Sequence, residues 1–241
     1  MSPPSTPIRL LIREDGAHSL SSFLWPCALA MVAYLHSHPS LVASRRVLEL
    51  GVGRGLVGAF LARSPTHSAS CRTIHLTDGA RNFEEDIRDM LQLNHIQTGN
   101  VAASDPPIPS VSASRLVWGD FSPLTRSMVG SIDLILGADV FYERSDYDDI
   151  FATVAFFRCP FLTAYQHRTG GGKRAFQHLA VKWGFAMETL TFDPTTVKVR
   201  VRRGITAEEG DDEEFNDDDD VNELNSSPHR IELILFTPKH I

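Results

Sequence analysis

The chain has 241 residues, 42% apolar and 22% charged, which suits one α/β domain with a substantial core. Its formal charge of −7 is unevenly spread: 11 of the 30 acidic residues lie between Glu208 and Glu223, and the other 19 face 23 basic residues, a net of +4. The longest apolar run, Phe23 to Leu35, contains Pro26 and is too short to span a bilayer, and a mildly basic body without a Lys/Arg stripe argues against direct nucleic-acid binding.

Met1 to Pro7 is polar and proline-rich and lacks the apolar stretch of a signal peptide. Ile8 to Arg13 alternates weakly and predicts an edge strand, so residues 1–22 read as an N-terminal extension before a single domain over residues 23–241. A helix is expected to start near Trp25-Pro26, where proline is tolerated, and to run through His38 until Pro39 ends it. Arg46 to Leu50 predicts the first central strand, followed by Gly51, Gly53 and Gly55 and a helix from Leu56 to Arg63. Thr73 to Thr77 predicts a second strand ending at Asp78-Gly79. Arg81 to His95 predicts a helix with Ile87, Met90, Leu91 and Asn94 on one stripe. Thr98 to Ser114, polar and carrying three prolines, reads as a surface loop.

Arg115 to Trp118 predicts a third strand stopping at Gly119-Asp120. Ser131 to Gly137 predicts a fourth, which runs into Ala138-Asp139-Val140-Phe141-Tyr142. Ser145 and Asp148 hold capping-box positions for a helix to Phe157. Phe161 to Tyr165 predicts a fifth strand, Gly170 to Gly172 a break, and Lys173 to Trp183 a helix. Phe185 to Phe192 and Arg230 to Phe236 read as the last strands, an antiparallel pair, with Val197 to Val201 a β-like run between them. The acidic run predicts a disordered insert at about residues 204–228, with steering of a basic partner as the sharper reading. Strands and helices alternate, so the fold class is α/β, a mostly parallel sheet with helices on both faces. Cys27, Cys71 and Cys159 form no paired framework, which points to a reducing cytoplasmic or nuclear setting, and the ten histidines show no metal-ligand spacing.

In such sheets ligands lie beyond the carboxyl ends of the strands, near the switch point. The first four central strands end at Glu49 to Gly51, Asp78, Trp118 to Asp120 and Asp139, which places these residues along one rim. A strand feeding a glycine loop at a helix N-terminus lets backbone approach a nucleotide-like ligand. Gly53 to Gly58 fits G-x-G-x-x-G, with Asp78 20 residues on, so a nicotinamide-dependent oxidoreductase stays open. The strand-to-turn transition at Gly51 gives a different register, Glu-x-Gly-x-Gly-x-Gly over Glu49, Gly51, Gly53 and Gly55. An acidic residue two positions before the first glycine repels a pyrophosphate, whereas S-adenosylmethionine carries a sulfonium and an ammonium and no phosphate. Asp78 suits ribose hydroxyls under either reading. Trp118 can pack on an adenine ring or serve the core.

The segment Val47 to Gly58 resembles motif I of the seven-β-strand S-adenosylmethionine-dependent methyltransferases, and more narrowly of their family 16. The same family has an upstream Trp-Pro, matched by Trp25-Pro26. It also has a Thr-Asp matched by Thr77-Asp78, a Trp-Gly matched by Trp118-Gly119, and an Asp-x-x-Tyr matched by Asp139 to Tyr142. The matches run from Phe23 to about Phe192. The resemblance implies a Rossmann-like seven-stranded sheet whose last strands form an antiparallel hairpin. It implies cofactor contacts from Trp25, Glu49, Gly51, Gly53, Gly55, Asp78, Trp118 and Ala138 with Asp139, and a methyl-acceptor channel lined by Asp139 and Tyr142. The connection Arg158-Cys159-Pro160 is shorter than this family leads one to expect, and the acidic insert lies outside the resemblance.

The narrower resemblance implies methylation of an arginine in a histone or another basic protein; the wider family is mostly lysine-directed. Either acceptor must lose a proton, and carboxylates serve that need, with Asp139 the candidate and Glu143 or Asp146 behind it. No paired-glutamate loop of the usual arginine methyltransferases is present. A scaffold working through its acidic segment is the rival from outside enzymology.

Overall fold

The computed structural model describes residues 8–13, 23–64, 71–99, 109–167, 172–191 and 230–239. The acidic run, Val197 to Val201 and the first two glycines of the Gly170 to Gly172 break lie outside the described residues. In chain order the elements are α1 (Pro26–Ser37), β1 (Arg46–Leu50), α2 (Leu56–Arg63), β2 (Thr73–Asp78), α3 (Phe83–Leu93), β3 (Ser110–Arg115) and α4 (Pro123–Ser127). They continue with β4 (Leu134–Ala138), α5 (Tyr147–Phe157), β5 (Phe161–Gln166), α6 (Gly172–Lys182), β6 (Phe185–Leu190) and β7 (Ile231–Pro238).

The seven strands form one sheet in the order β3-β2-β1-β4-β5-β7-β6. β1 to β5 are parallel, and β7 runs antiparallel to both β5 and β6. Side chains alternate across each strand and so build two cores. Val47, Ile74, Leu76 and Leu136 face α1, α2 and α3, while Leu48, Leu50, Ile135 and Phe161 face α5 and α6. α1 is apolar on nearly every side and is buried accordingly. The strand order turns between β1 and β4, which opens the crevice at their carboxyl ends. At the opposite rim the Arg46 guanidinium and backbone N–H both donate to Asp133, tying the start of β1 to the residue before β4.

Four expectations need correction. Residues 8–13 pair with no strand; Ile8, Leu10 and Ile12 pack on the core, and the peptide groups of Leu11 bond a side-chain amide instead. Weak alternation correctly signalled one buried face but not a ladder partner. The third strand is Ser110–Arg115, in register with β2 from Thr73↔Ser110 to Asp78↔Arg115, and not Arg115 to Trp118. Its serines suit an edge strand with one partner, and their low hydrophobicity hid it. The fourth strand begins at Leu134 and runs to Ala138. The capping box does not form, because a 3₁₀ turn at Arg144–Asp146 moves the start of α5 to Tyr147. Ser145 donates to Asp146, and Asp148 accepts from Lys182 and, at 2.8 Å, from Trp183 Nε1.

The short connection after α5 costs no strand. Arg158 takes a left-handed conformation (φ 54°) that stops the helix, and β5 is buried along its whole length between β4 and β7.

Candidate functional site

β1 delivers Glu49 to the face covered by α2. The residue is 2% exposed, and a Cβ on Gly58 would stand 3.2 Å from Oε2, so the absent side chain at Gly58 makes room for the carboxyl. Burial pushes the Glu49 carboxyl up to about 8, the Gly58 N–H pulls it back, and the neighbouring Asp78 charge raises it further. Oε2 meets no hydrogen-bond partner among the described residues. Its position suits a cation, whose approach would favour the ionised form.

The glycine loop then passes through a tight gap. Gly51 has φ +64°, and a Cβ there would lie 2.9 Å from Val140 Cγ1 and 3.3 Å from Trp118 Cζ2, so any side chain both strains the backbone and fills the crevice. Gly53 and Gly55 are also left-handed. The end of β2 holds the loop: the Gly53 N–H donates to Asp78 Oδ2 at 3.0 Å, and the Ala80 N–H to Oδ1 at 2.9 Å. Each Asp78 oxygen keeps a further lone pair for a ligand hydroxyl.

On the other side of the crevice β4 ends at Ala138, paired with Ala164, and Asp139 turns the chain out of the sheet. Asp139 is buried with φ +60°, a conformation that aspartate tolerates, and its N–H donates to the Ala164 carbonyl at 2.9 Å. It caps no helix: the residues before the 3₁₀ turn and α5 are Glu143 and Asp146. Val140 then faces Gly51, Phe141 enters the aromatic core, and Tyr142 stands 41% exposed with its ring edge-on to Trp118 at 6.2 Å. Partial burial raises the Tyr142 hydroxyl above its ordinary value, and the charges of Asp146, Asp78, Glu143 and Asp139 raise it further. Asp120, exposed in the turn after β3, is not in that group.

Glu49, Gly51, Gly53, Gly55, Asp78, Trp118, Ala138, Asp139 and Tyr142 thus meet around the switch point. Trp25 precedes α1, which packs against β4 and β5; its half-buried ring stands edge-on to Phe23 at 6.2 Å. The geometry fits S-adenosylmethionine on two counts: the cradle that a Cβ on Gly51 would fill, and a buried carboxyl with a spare acceptor beside Asp78. Asp78 opposes a pyrophosphate at this loop, and Glu49 would do so in its ionised form.

Sequence reasoning missed Tyr147. Its hydroxyl donates to the Phe141 carbonyl at 2.9 Å, and its ring packs on Phe141 and Phe176, so it fixes the loop that carries Asp139 and Tyr142. A tyrosine at the start of a helix gives no sign of a bond reaching back to a loop carbonyl. Tyr147→Phe keeps the ring but deprives the buried Phe141 carbonyl of this donor, with an expected loss of about 1–3 kcal/mol in urea unfolding. An unchanged midpoint and slope would show the bond to be dispensable.

Cys27, Cys71 and Cys159 are buried and form no disulfide among the described residues, and burial pushes the Cys71 and Cys159 thiols up to about 12, far from a nucleophilic thiolate. Among the described residues no three His, Cys, Asp or Glu side chains are grouped to hold a metal ion, and no helix is long and apolar enough to cross a membrane.

Comparison with known proteins agrees with this geometry. A family model described as lysine methyltransferase matches residues 5–181. The chain is 33% identical to the histone-arginine methyltransferase METTL23 of Xenopus laevis over 196 residues, 77% of this chain and 75% of that protein. It is 30% identical to the Rattus norvegicus protein of the same name over 67% of this chain and 65% of that one. With the protein N-lysine methyltransferase METTL21A of Mus musculus the identity is 29% over 59% of this chain and 58% of that protein. The chain therefore spans less than two thirds of the length of several relatives that it matches. In fold it is similar to the YcgJ protein of Bacillus subtilis, with a TM-score of 0.56 at 11% identity, covering 88% of this chain and 99% of that one. It is also similar to the CMeT domain of the citrinin polyketide synthase, with a TM-score of 0.51 at 10% identity, covering 82% of this chain and 47% of that one. With the ordered motifs, the strand order and the family match in agreement, the chain belongs to the lysine methyltransferase family of seven-stranded, S-adenosylmethionine-dependent methyltransferases.

Proposed function

We propose that the protein is a protein N-methyltransferase that acts on a basic protein, with an arginine of a histone as the first candidate acceptor. The observation that carries this reading is the set of four carboxylates, Asp78, Asp139, Glu143 and Asp146, acting on the one Tyr142 hydroxyl at the crevice mouth. Such a field favours a cationic acceptor and disfavours a nucleic acid. The printed activity of the METTL23 relatives supports arginine in a histone.

When bound, the cofactor would supply an electrophilic methyl group on a sulfonium, with a neutral thioether as the leaving group. The protein's task is alignment and charge. Glu49 and Asp78 would hold the ammonium and ribose ends beside the glycine loop, Trp118 would pack on the adenine, and Trp25, before α1, is the remaining candidate contact. Positioning alone is worth on the order of 7–11 kcal/mol. Asp139 holds the acceptor nitrogen and takes its proton as the new N–C bond forms, the Tyr142 hydroxyl orients the acceptor, and Glu143 and Asp146 offset its remaining charge. A setting in the cytoplasm and nucleus suits both the buried cysteine thiols and a histone acceptor.

The family description supports a second reading, in which a lysine is the acceptor. The deciding experiment is mass spectrometry of core histones and of a whole lysate incubated with the protein and isotopically labelled cofactor. Label on arginine is the expected result, and label on lysine would establish the second reading. Label on neither, from protein that binds S-adenosylhomocysteine, would refute protein methylation.

A further inference from the structure

The apolar stripe of α3 contains Ile87, Met90 and Leu91 and continues into Asn94, the residue that ends the helix and is only 5% exposed. A buried carboxamide must find its partners within the protein. The Asn94 side chain finds three: Oδ1 accepts the Leu11 N–H at 2.7 Å, and Nδ2 donates to the Leu11 carbonyl at 2.8 Å and to the Met90 carbonyl at 2.9 Å. The orientation of the amide is fixed, because only its oxygen can accept the Leu11 N–H. Asn94 thus pairs with Leu11 as a neighbouring β-strand would.

This pairing docks residues 8–13 where they meet the glycine loop. Ile8, Leu10 and Ile12 pack on the core, and two residues beyond Leu11 the Arg13 carbonyl accepts a hydrogen bond from Arg54 Nε, in the loop itself. α3 supports the loop from the same side: a Cβ on Gly55 would lie 2.8 Å from Ile87 Cδ1. Arg13, Gly53, Arg54, Asp89 and Met90 line a groove between the strap, the loop and α3.

We propose that Asn94 is a positioning residue for the cofactor site, holding residues 8–13 as a strap that fixes Arg54 and with it the glycine loop in the binding conformation. Without the strap, only a fraction of molecules presents the loop correctly, and the apparent dissociation constant rises by the inverse of that fraction. The inference rests on the cofactor assignment, and the test separates the two.

Binding of S-adenosylhomocysteine is measured by calorimetry at a temperature where every variant is folded. Asn94→Ala and Leu11→Pro are each expected to raise Kd about tenfold, since the first leaves the part-buried Leu11 peptide groups without this partner and the second leaves the buried Asn94 Oδ1 without its donor. Leu11→Pro deletes the N–H donor while leaving α3 untouched, and the Leu11 side chain is not part of the core cluster. The double variant is expected to bind no more weakly than the single ones, because both release the same strap. Single variants that lower the melting temperature but bind like wild type would overturn the proposal, as would losses that add in the double variant. A wild-type protein that fails to bind S-adenosylhomocysteine would overturn the cofactor assignment and this inference with it, whereas the failures named before leave that assignment standing.

Discussion

Asp139→Asn is expected to lower methyl transfer by about 10²–10⁴-fold, the range that a positioned proton acceptor contributes, while S-adenosylhomocysteine still binds. Asparagine is the sharper substitution because the backbone at this position is left-handed. Asn accepts φ +60° as readily as Asp, whereas alanine adds roughly 1–2 kcal/mol of strain. Asp139→Asn therefore preserves the turn out of β4, the N–H bond to Ala164 and the placement of Val140 against Gly51. It removes only the charge and the capacity to take a proton. The measurement is label transfer to core histones beside calorimetric cofactor affinity. Turnover within twofold of wild type would strip Asp139 of its assigned role; parallel loss of affinity would move it to the cofactor side.

Glu49→Gln is expected to act in opposite directions on the free protein and on binding. The folded pKa of about 8 lies well above that of an unfolded glutamate, so the neutral form stabilises the free protein. That contribution is fully present below about pH 4.5 and is lost as pH rises towards 8, at about 1.4 kcal/mol per unit. Glutamine keeps the shape and abolishes the titration, so the variant's melting temperature should gain on wild type between pH 5.5 and 8. Affinity should go the other way. A cation held by Glu49 needs the carboxylate, so wild-type affinity should rise over the same interval with release of up to one proton, read from binding heats in buffers of different ionisation enthalpy. Glu49→Gln should lose the proton release and about tenfold or more in affinity, in line with a hydrogen bond to a charged group. Unchanged affinity and no pH dependence would mean that Glu49 serves only the interior.

The elements that sequence reading located well are those whose cause is local. α1 carries its proline in the first turn, and α3 bears acids in its first turn and an apolar stripe. β1 and β5 are short, largely apolar segments, and both are buried almost throughout. β3 escaped because Ser110–Arg115 owes its conformation to pairing with β2 rather than to its own side chains. Residues 8–13 misled for the converse reason: the alternation was real, but the partner was a side chain 83 residues away.

The candidate site divides along the same line. The left-handed turns of Gly51, Gly53 and Gly55 follow from the lack of a Cβ, and the acids at the strand ends follow from the βα rhythm, so both are written in the sequence by itself. Only the tertiary structure decided which way these groups face and how much water reaches them. It turned Glu49 under α2 beside Gly58, where burial shifts its protonation. It brought Asp78 into the field of Tyr142, and it tied the Tyr147 hydroxyl to the loop that carries Asp139. Backbone conformation answers to neighbouring residues, but desolvation and charge answer to whatever the fold brings within a few ångströms.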